Sequence, residues 1–368
     1  MIDLKALKKL MKGIWGCWDR LPFYVEENLV TDWFVCNLLR ESVPKLLFEN
    51  IKRRVYFIYS GHFLYYSNKI TIEDNRLLWI IYSKNIGDCL MRLSAIKLLN
   101  KNGYQVDLLA IPVITELFLP GKSFVNVFRL GVDEEYIKDI LYDKVIVDGI
   151  QTRPLRVKNN VQPRTSFVTE YDFFHYARND YNIVLFSWYR MQSLLQLKIE
   201  NSPMLGLQVD LAEASKNLQH IDLPKNYIAF VMGGRETSRI YSHWAEVISG
   251  VHFLFPEQVF VLLGSENGLS FAKLIESEFP VINLVAKLSL QETMSVIQTA
   301  TLITCADGGL LHIANALNIP SVGLFATVRP EHRYTYNDNY VALYDEHLVS
   351  NIEAGSVINA IKKMLAHR

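Results

Sequence analysis

The chain has 368 residues, half of them apolar and 12% aromatic, with 38 basic and 38 acidic side chains. That length supports two domains with a large core, and the apolar content excludes a disordered chain. The balanced charge speaks against nucleic-acid binding through bulk electrostatics.

Four cysteines (Cys17, Cys36, Cys89, Cys305) are scattered without C-x-x-C spacing. This pattern argues against a disulfide scaffold or zinc site and points to a cytoplasmic protein with reduced thiols. No stretch of about 18 uncharged apolar residues is present, so no bilayer-spanning helix is expected. Lysines interrupt the N-terminal apolar residues, so no signal peptide is expected either.

Residues 1–21 read as an amphipathic helix. Leu4, Leu7, Leu10, Met11, Ile14, Trp15 and Trp18 recur at three- and four-residue steps, with Lys5, Lys8, Lys9 and Lys12 between them. Two readings stand: a peripheral anchor on an anionic inner-membrane surface, or a helix packed on its own domain or on a sister subunit. Residues 22–73 are rich in aromatics, and 1–73 is taken as an N-terminal helical and aromatic extension with an oligomer or acceptor role.

An N-terminal Rossmann-like domain is expected over 74–205. Leu77–Tyr82 reads as a buried strand and Ser83–Asp88 as a loop. Asp88–Asn100 reads as a helix closed by Gly103 as a C-terminal cap. Tyr104–Ile111, Asp143–Asp148 and Asn182–Phe186 read as further strands. Strands alternating with helices mean a parallel sheet. Residues 151–181 carry Arg153, Arg156, Arg164 and Arg178 with little periodicity. They read either as an acceptor-binding loop that meets acidic groups or as a solvated surface loop.

A second such domain is expected over 206–345. Tyr227–Met232 is its first strand, followed by the glycine-led loop 233–239 with Arg235 and Arg239, and a helix over 242–255. Gln258–Leu263 and Val281–Leu284 are strands. Ser289 and Glu292 form a helix capping box. Residues 351–367 form a last helix. The most informative stretch is Thr304–Pro330. A strand (Ala300–Thr304) enters the turn Ala306-Asp307-Gly308-Gly309, a helix follows, and Ser321–Phe325 is the next strand. The paired glycines let backbone approach a ligand and open the helix with unpaired N–H groups, which attract phosphate. A tight turn without a ligand is the alternative.

This last stretch resembles the C-terminal signature of glycosyltransferase family 9, the ADP-heptose:lipopolysaccharide heptosyltransferases. Asp307, Gly309, His312, Ala314, Ala316, Leu317, Pro320, Val322, Leu324, Phe325, Thr327 and Pro330 fall in the pattern. Gly308 stands where many members carry Ser or Thr, Ala326 replaces a usual Gly, and Val328-Arg329 replaces a short polar pair. Ser83, Gly87, Asp88, Ala95 and Leu99 resemble the family's first signature, and Lys287–Glu292 resembles its K-x-S-L-x-E stretch.

The resemblance implies an α/β protein of GT-B architecture: two Rossmann-like domains facing a cleft, with the C-terminal helix (346–368) packing back on the first. It implies inverting transfer of heptose from ADP-heptose to a lipopolysaccharide-core or related glycan hydroxyl. Donor-binding residues would be Asp307, Gly308, Gly309, Leu310, His312, Arg235, Arg239 and Lys287. Acceptor-binding residues would be Ser83, Asn85, Gly87, Arg153 and Arg156. Glu331, His332 and Arg333 would edge the donor pocket.

No Asp-x-Asp occurs, so a metal-independent reaction without cofactor is expected, with the diphosphate charge met by amides and arginines. Asp88 would be the base for the acceptor hydroxyl. From the residues alone it is equally well a helix N-cap. Other readings are a family member using another sugar or a protein acceptor, a GT-B-fold nucleotide-sugar epimerase, or a binding scaffold. Retention of Gly87-Asp88 together with Asp307 speaks against the scaffold.

Overall fold

The run from Arg76 to Ile81 is apolar on both faces, and Leu77 through Ile81 are completely buried. Only a central strand of a parallel sheet covered by helices on both sides asks for that pattern. It is β1 (Arg76–Ile81), flanked in the order β3-β2-β1-β4-β5 by β2 (Gln105–Ala110), β3 (Val127–Arg129), β4 (Lys144–Val147) and β5 (Phe167–Thr169), all parallel. The computed structural model describes residues 48, 52, 55–119, 121–149, 152–170, 182–198, 200, 203–204, 206–333 and 339–366. The amphipathic stretch 1–21, most of the extension and Arg178 lie outside these.

After β1 the chain forms α1 (Ile86–Leu90) and α2 (Leu93–Lys101). One helix was expected here. The break has a cause in packing: residues 84–93 belong to the second compact unit of the chain, whereas Ser94–Thr115 belong to the first. The helix changes partner and closes with a tighter bond, Arg92 N–H to the Cys89 carbonyl at 3.1 Å. Gly103 caps α2 in the left-handed region at φ 85°, as its position implied.

Next come α3 (Pro112–Phe118), α4 (Glu134–Lys138) and α5 (Thr152–Val161). The last of these, with β5, replaces the loop expected after residue 151. The strand expected at Asn182–Phe186 is instead the start of α6 (Ile183–Leu194). Asn182 caps it, its side chain accepting from the Leu185 amide at 3.0 Å. Ten of its twelve residues are buried, so the sequence shows no apolar stripe to separate helix from strand.

The first unit's core joins β-strand residues Leu78, Ile80, Val145 and Phe167 to Phe57. Lys158 and His62 are among the basic groups buried in this unit. Lys158 is fully buried; its Nζ donates to the Pro163 carbonyl at 2.9 Å and lies over the Tyr65 and Phe167 rings at 5.1 and 5.0 Å. Burial pulls its pKa down to about 8. The His62 ring is buried against Tyr56, Phe57 and Phe167. Burial, then the Lys158 charge, lower its pKa to about 4.

The second unit comprises residues 84–93, 116–123 and 205 onward. Its strands are β6 (Tyr227–Met232), β7 (Val259–Gly264), β8 (Val281–Asn283), β9 (Leu302–Ala306), β10 (Ser321–Ala326) and β11 (Tyr340–Asp345). They form one parallel sheet in the order β11-β10-β9-β6-β7-β8. Counted from β6, this is the dinucleotide-fold order, reversing between β6 and β9.

The helices are α7 (Ala212–Asn217), α8 (Trp244–Leu254), α9 (Leu269–Glu278), α10 (Leu290–Thr299), α11 (Gly309–Ala316) and α12 (Ala354–Ala366). The expected capping box opens α10: the Ser289 amide donates to Glu292 at 2.8 Å and the Glu292 amide to Ser289 Oγ at 3.2 Å. Asn318, at φ 60°, ends α11, with the Ile319 amide reaching back to the Ala314 carbonyl at 2.8 Å.

The last helix was expected to dock on the first domain; α12 belongs to the second unit and packs into its core. Val357, Ala360 and Ile361 of α12 enter the second unit's core beside Val247, Ile248 and Val251 of α8. The apolar stripe of α12 finds its complement there, at roughly 1.5–3 kcal/mol per large apolar side chain buried. Among the described residues, no helix is long and apolar enough to cross a membrane.

Candidate active site

In an open α/β sheet, ligands settle outside the carboxyl ends of the strands where the order reverses. Here that place is between β6 and β9, and a cavity of about 780 Å³ lies there, a volume suited to a nucleotide-sized ligand. Every residue that lines it belongs to the second unit. The walls are the loops after β6, β7 and β9 together with residues 84–88 and Met91.

Asp307 stands at the end of β9, its amide anchored to the Leu324 carbonyl at 2.8 Å. Its carboxylate is buried. Oδ1 lies 3.2 Å from His312 Nε2 and Oδ2 lies 3.5 Å from Arg239 Nη2. Burial alone raises the pKa of such a group. The His312 hydrogen bond and charge and the charges of Arg239 and Arg333 outweigh burial and hold Asp307 below the usual carboxylate range. Asp307 is therefore an ionised hub and not a helix cap; the α11 N-cap is Gly308, which offers no side-chain bond. The first-turn amides of α11 have no acceptor within their own helix, and Gly308, Gly309 and Leu310 line the cavity. Cys305 also lines it; burial, then the Asp307 charge, push its thiol up, so it stays neutral.

Asp88 is not an N-cap either. Asn85 is the N-cap of α1, and Asp88 sits in its first turn. Its Oδ2 accepts from Asn85 Nδ2 at 2.9 Å, and its Oδ1 lies 4.0 Å from Arg333 Nη1. The side chain is 39% exposed and faces the cavity.

The start of α1 and the start of α11 meet at two glycines, each packed against a side chain of the other helix. A Cβ on Gly87 would come within 2.6 Å of His312 Cδ2, and one on Gly309 within 3.3 Å of Ile86 Cβ. Glycine at 87 is required by close approach: any side chain displaces the ring that holds Asp307.

The structure brings Asn85, Gly87, Asp88, Arg235, Arg239, Asp307, Gly308, Gly309, Leu310 and His312 to one cavity. It also changes their grouping, because Asn85, Gly87 and Asp88 belong to the unit that carries Asp307. Four expected site residues are not on its walls. Ser83 belongs to the first unit. Arg153 and Arg156 are exposed on α5 of that unit, with Arg156 over the Tyr56 ring at 5.9 Å. Lys287 turns back onto the Asn283 carbonyl at 2.7 Å.

Three features escaped the sequence reading. Lys84 lines the cavity, and so does the loop after β7, Gly264–Asn267; Arg333 was expected only at its edge. Asn267 ties this loop to the one after β6 by a bond from its Nδ2 to the Gly234 carbonyl, 2.8 Å. The switch-point rule alone predicts that loop as a wall. Among the described residues, no group of three or more His, Cys, Asp and Glu is placed to hold a metal ion.

A parallel sheet of dinucleotide-fold order, with glycine-led loops, an uncapped helix start and guanidiniums at its switch point, is the architecture of the nucleotide-binding class of α/β folds. The family model of glycosyltransferase family 9 (heptosyltransferase) matches residues 174–357, half of the chain. The chain belongs to glycosyltransferase family 9, and it is a glycosyltransferase.

Solved structures similar to it include a family 9 glycosyl transferase from Veillonella parvula, with 14% identity and TM-score 0.69, covering 82% of this chain and 100% of that one. The Escherichia coli ADP-heptose lipopolysaccharide heptosyltransferase II gives 17% identity and TM-score 0.64, covering 79% and 99%. The E. coli heptosyltransferase WaaC with ADP gives 18% and 0.62, covering 78% and 99%. These likenesses establish the fold, which is the mixed α/β, two-sheet fold of GT-B-like heptosyltransferases. No curated protein sequence matches the chain.

Proposed function

We propose that this protein transfers heptose from ADP-heptose, with inversion and without a metal ion, to a hydroxyl of a lipopolysaccharide-core or related glycan acceptor. The reaction takes place in the cytoplasm, on a lipid-linked acceptor at the inner-membrane surface. The observation that carries the reading is one cavity holding a half-exposed carboxylate, Asp88, beside an uncapped helix start and guanidiniums.

The acceptor oxygen attacks the anomeric carbon on the face opposite the nucleotide, and Asp88 takes its proton. The bond from that carbon to the diphosphate breaks with its electron pair going to the diphosphate. The α11 amides, Arg235 and Arg239 meet the charge that develops. His312 and Arg239 hold Asp307 ionised, ready to accept hydrogen bonds from sugar hydroxyls.

The test is ADP release from ADP-heptose with and without a lipopolysaccharide-core acceptor, for the wild type and Asp88→Ala. Release is expected to depend on the acceptor and to fall about 10²–10⁴-fold in the variant, the range for loss of a general base. Acceptor-independent release, or a variant with near-normal turnover, overturns the reading.

A further inference from the structure

Arg239 reaches the cavity from a loop, and that loop is tied down from behind. The Arg239 Nη1 donates to the Asp307 carbonyl at 3.4 Å, and its Nη2 lies 3.5 Å from Asp307 Oδ2. The loop also closes on itself, since a Cβ on Gly234 would meet the Arg239 carbonyl at 2.6 Å. The residues that follow are fastened to the turn Val349–Asn351 and to Ile352. Ser350 Oγ donates to the Ile240 carbonyl at 2.7 Å and accepts from the Ser242 amide at 3.1 Å. The buried Tyr241 donates from Oη to the Ile352 carbonyl at 3.0 Å. The last tie is His243, the N-cap of α8, with Nε2 3.0 Å from the Ser350 carbonyl and Nδ1 3.0 Å from Glu246 Oε1.

This last tie differs from the others in its chemistry. A carbonyl and a carboxylate accept hydrogen bonds and donate none. A neutral imidazole has one N–H, so it serves one of the two and turns a lone pair on the other. Only the imidazolium donates to both. The Glu246 hydrogen bond acts first, and with the Ser350 carbonyl and the Glu246 charge it outweighs burial, so the ring's pKa is raised. The titratable groups that face the ring are Glu246, from its own helix, and Tyr241, whose ring stands edge-on at 5.5 Å. Burial pushes the Tyr241 hydroxyl up, so it stays neutral.

We propose that His243 is a positioning residue: as the imidazolium it fastens the 234–243 loop to the C-terminal turn and thereby sets the Arg239 guanidinium for the donor diphosphate. This role rests on the reading of the cavity as a nucleotide-sugar site. Because the pKa is raised, the tie is complete below 6.5, the ring's ordinary value, and is lost as pH rises through the raised one. Nucleotide affinity falls over the same window.

The experiment is calorimetric titration without acceptor at about pH 6 and about pH 8.5, on either side of an imidazole's range. It uses whichever of ADP, UDP and GDP the wild type binds most tightly. Each variant is compared with the wild type at the same pH, so titration of the nucleotide cancels. His243→Gln, which has donors at one end only, is expected to bind about two- to fivefold more weakly than the wild type at the lower pH, the scale of one exposed ion pair. At the higher pH the two should bind equally. Glu246→Gln is expected to do the reverse, because its amide donates to the neutral ring: equal binding at the lower pH, and about two- to fivefold tighter binding than the wild type at the higher.

Hydrogen exchange of the Ser242 amide in the nucleotide-free protein reads the tie directly. Protection should be lower in His243→Gln than in the wild type at the lower pH and equal at the higher. An affinity ratio between His243→Gln and the wild type that is the same at both pH values overturns the proposal, because a merely structural role acts that way. So does equal Ser242 protection in the two proteins at both pH values, or wild-type affinity of Glu246→Gln at the higher pH. If none of the three nucleotides binds while the exchange pattern holds, the donor-site reading falls and takes the Arg239 step with it, a separate result from a missing tie.

Discussion

Two buried sites, one in each unit, handle titratable groups by opposite means. In the first unit, Lys158 and His62 lie among aromatic rings, and their low pKa values come first from burial. In the second, Asp307 is buried just as deeply, but its partners reverse the effect of burial and keep it ionised. His62 resolves burial by giving up its charge, and Lys158, still charged at neutral pH, is held by the Pro163 carbonyl and two rings; both serve packing. A group kept charged by its partners at the wall of a cavity is a functional-site candidate.

The strongest challenge to this contrast is Asp307→Ala. It leaves Arg239 and His312 beside an empty place, so stability is expected to drop by about 3–5 kcal/mol, the scale for breaking a buried pair. Transfer should be lost with it, and urea unfolding with an activity assay reads both. A loss of activity with unchanged stability would mean that the network is not a structural unit. Gly87→Ala tests the same network from the other side. The new methyl must push the His312 ring, so about 1–3 kcal/mol of stability should go and donor affinity should fall with it. Normal melting and normal donor affinity would show the contact to be soft.

The sequence made these two residues legible for a physical reason. Glycine-led turns between a buried strand and a helix leave a trace of residue types at short spacing, and both Asp307 and Gly87-Asp88 sit in such turns. Elements lacking that trace were misread or missed. The helix α6 is buried nearly all round and shows no stripe, and the three-residue strands β3 and β5 are too short for a period. Lys287 sits in a family-like stretch, yet its Nζ is used by a local carbonyl, a choice of side-chain direction that spacing does not encode. The assignment of residues 84–93 to the second unit was equally hidden, because it depends on what Ile86 and Gly87 touch hundreds of residues later.

The smallest effect belongs to the first unit. His62 is lowered to about 4 in the folded chain and returns to its ordinary value near 6.5 on unfolding. The unfolded state therefore binds the extra proton between those values. Stability is full above pH 6.5 and is lost as pH falls toward 4, on the order of 1–3 kcal/mol. His62→Phe should fold, pack against the same rings and flatten that part of the stability–pH curve. Urea unfolding at pH 5 and pH 7 checks it, and an unchanged slope would remove His62 from the comparison.

The split course of the chain bears on how such enzymes are recombined. A cut at residue 204, where the last long segment of the first unit ends, looks like a clean seam between halves. A hybrid joined there would take Gly87 from one parent and the His312 ring that lies against it from the other. Two lineages would have to agree on a close contact that neither had selected against the other, and keeping that contact intact requires that residues 84–93 travel with the C-terminal piece.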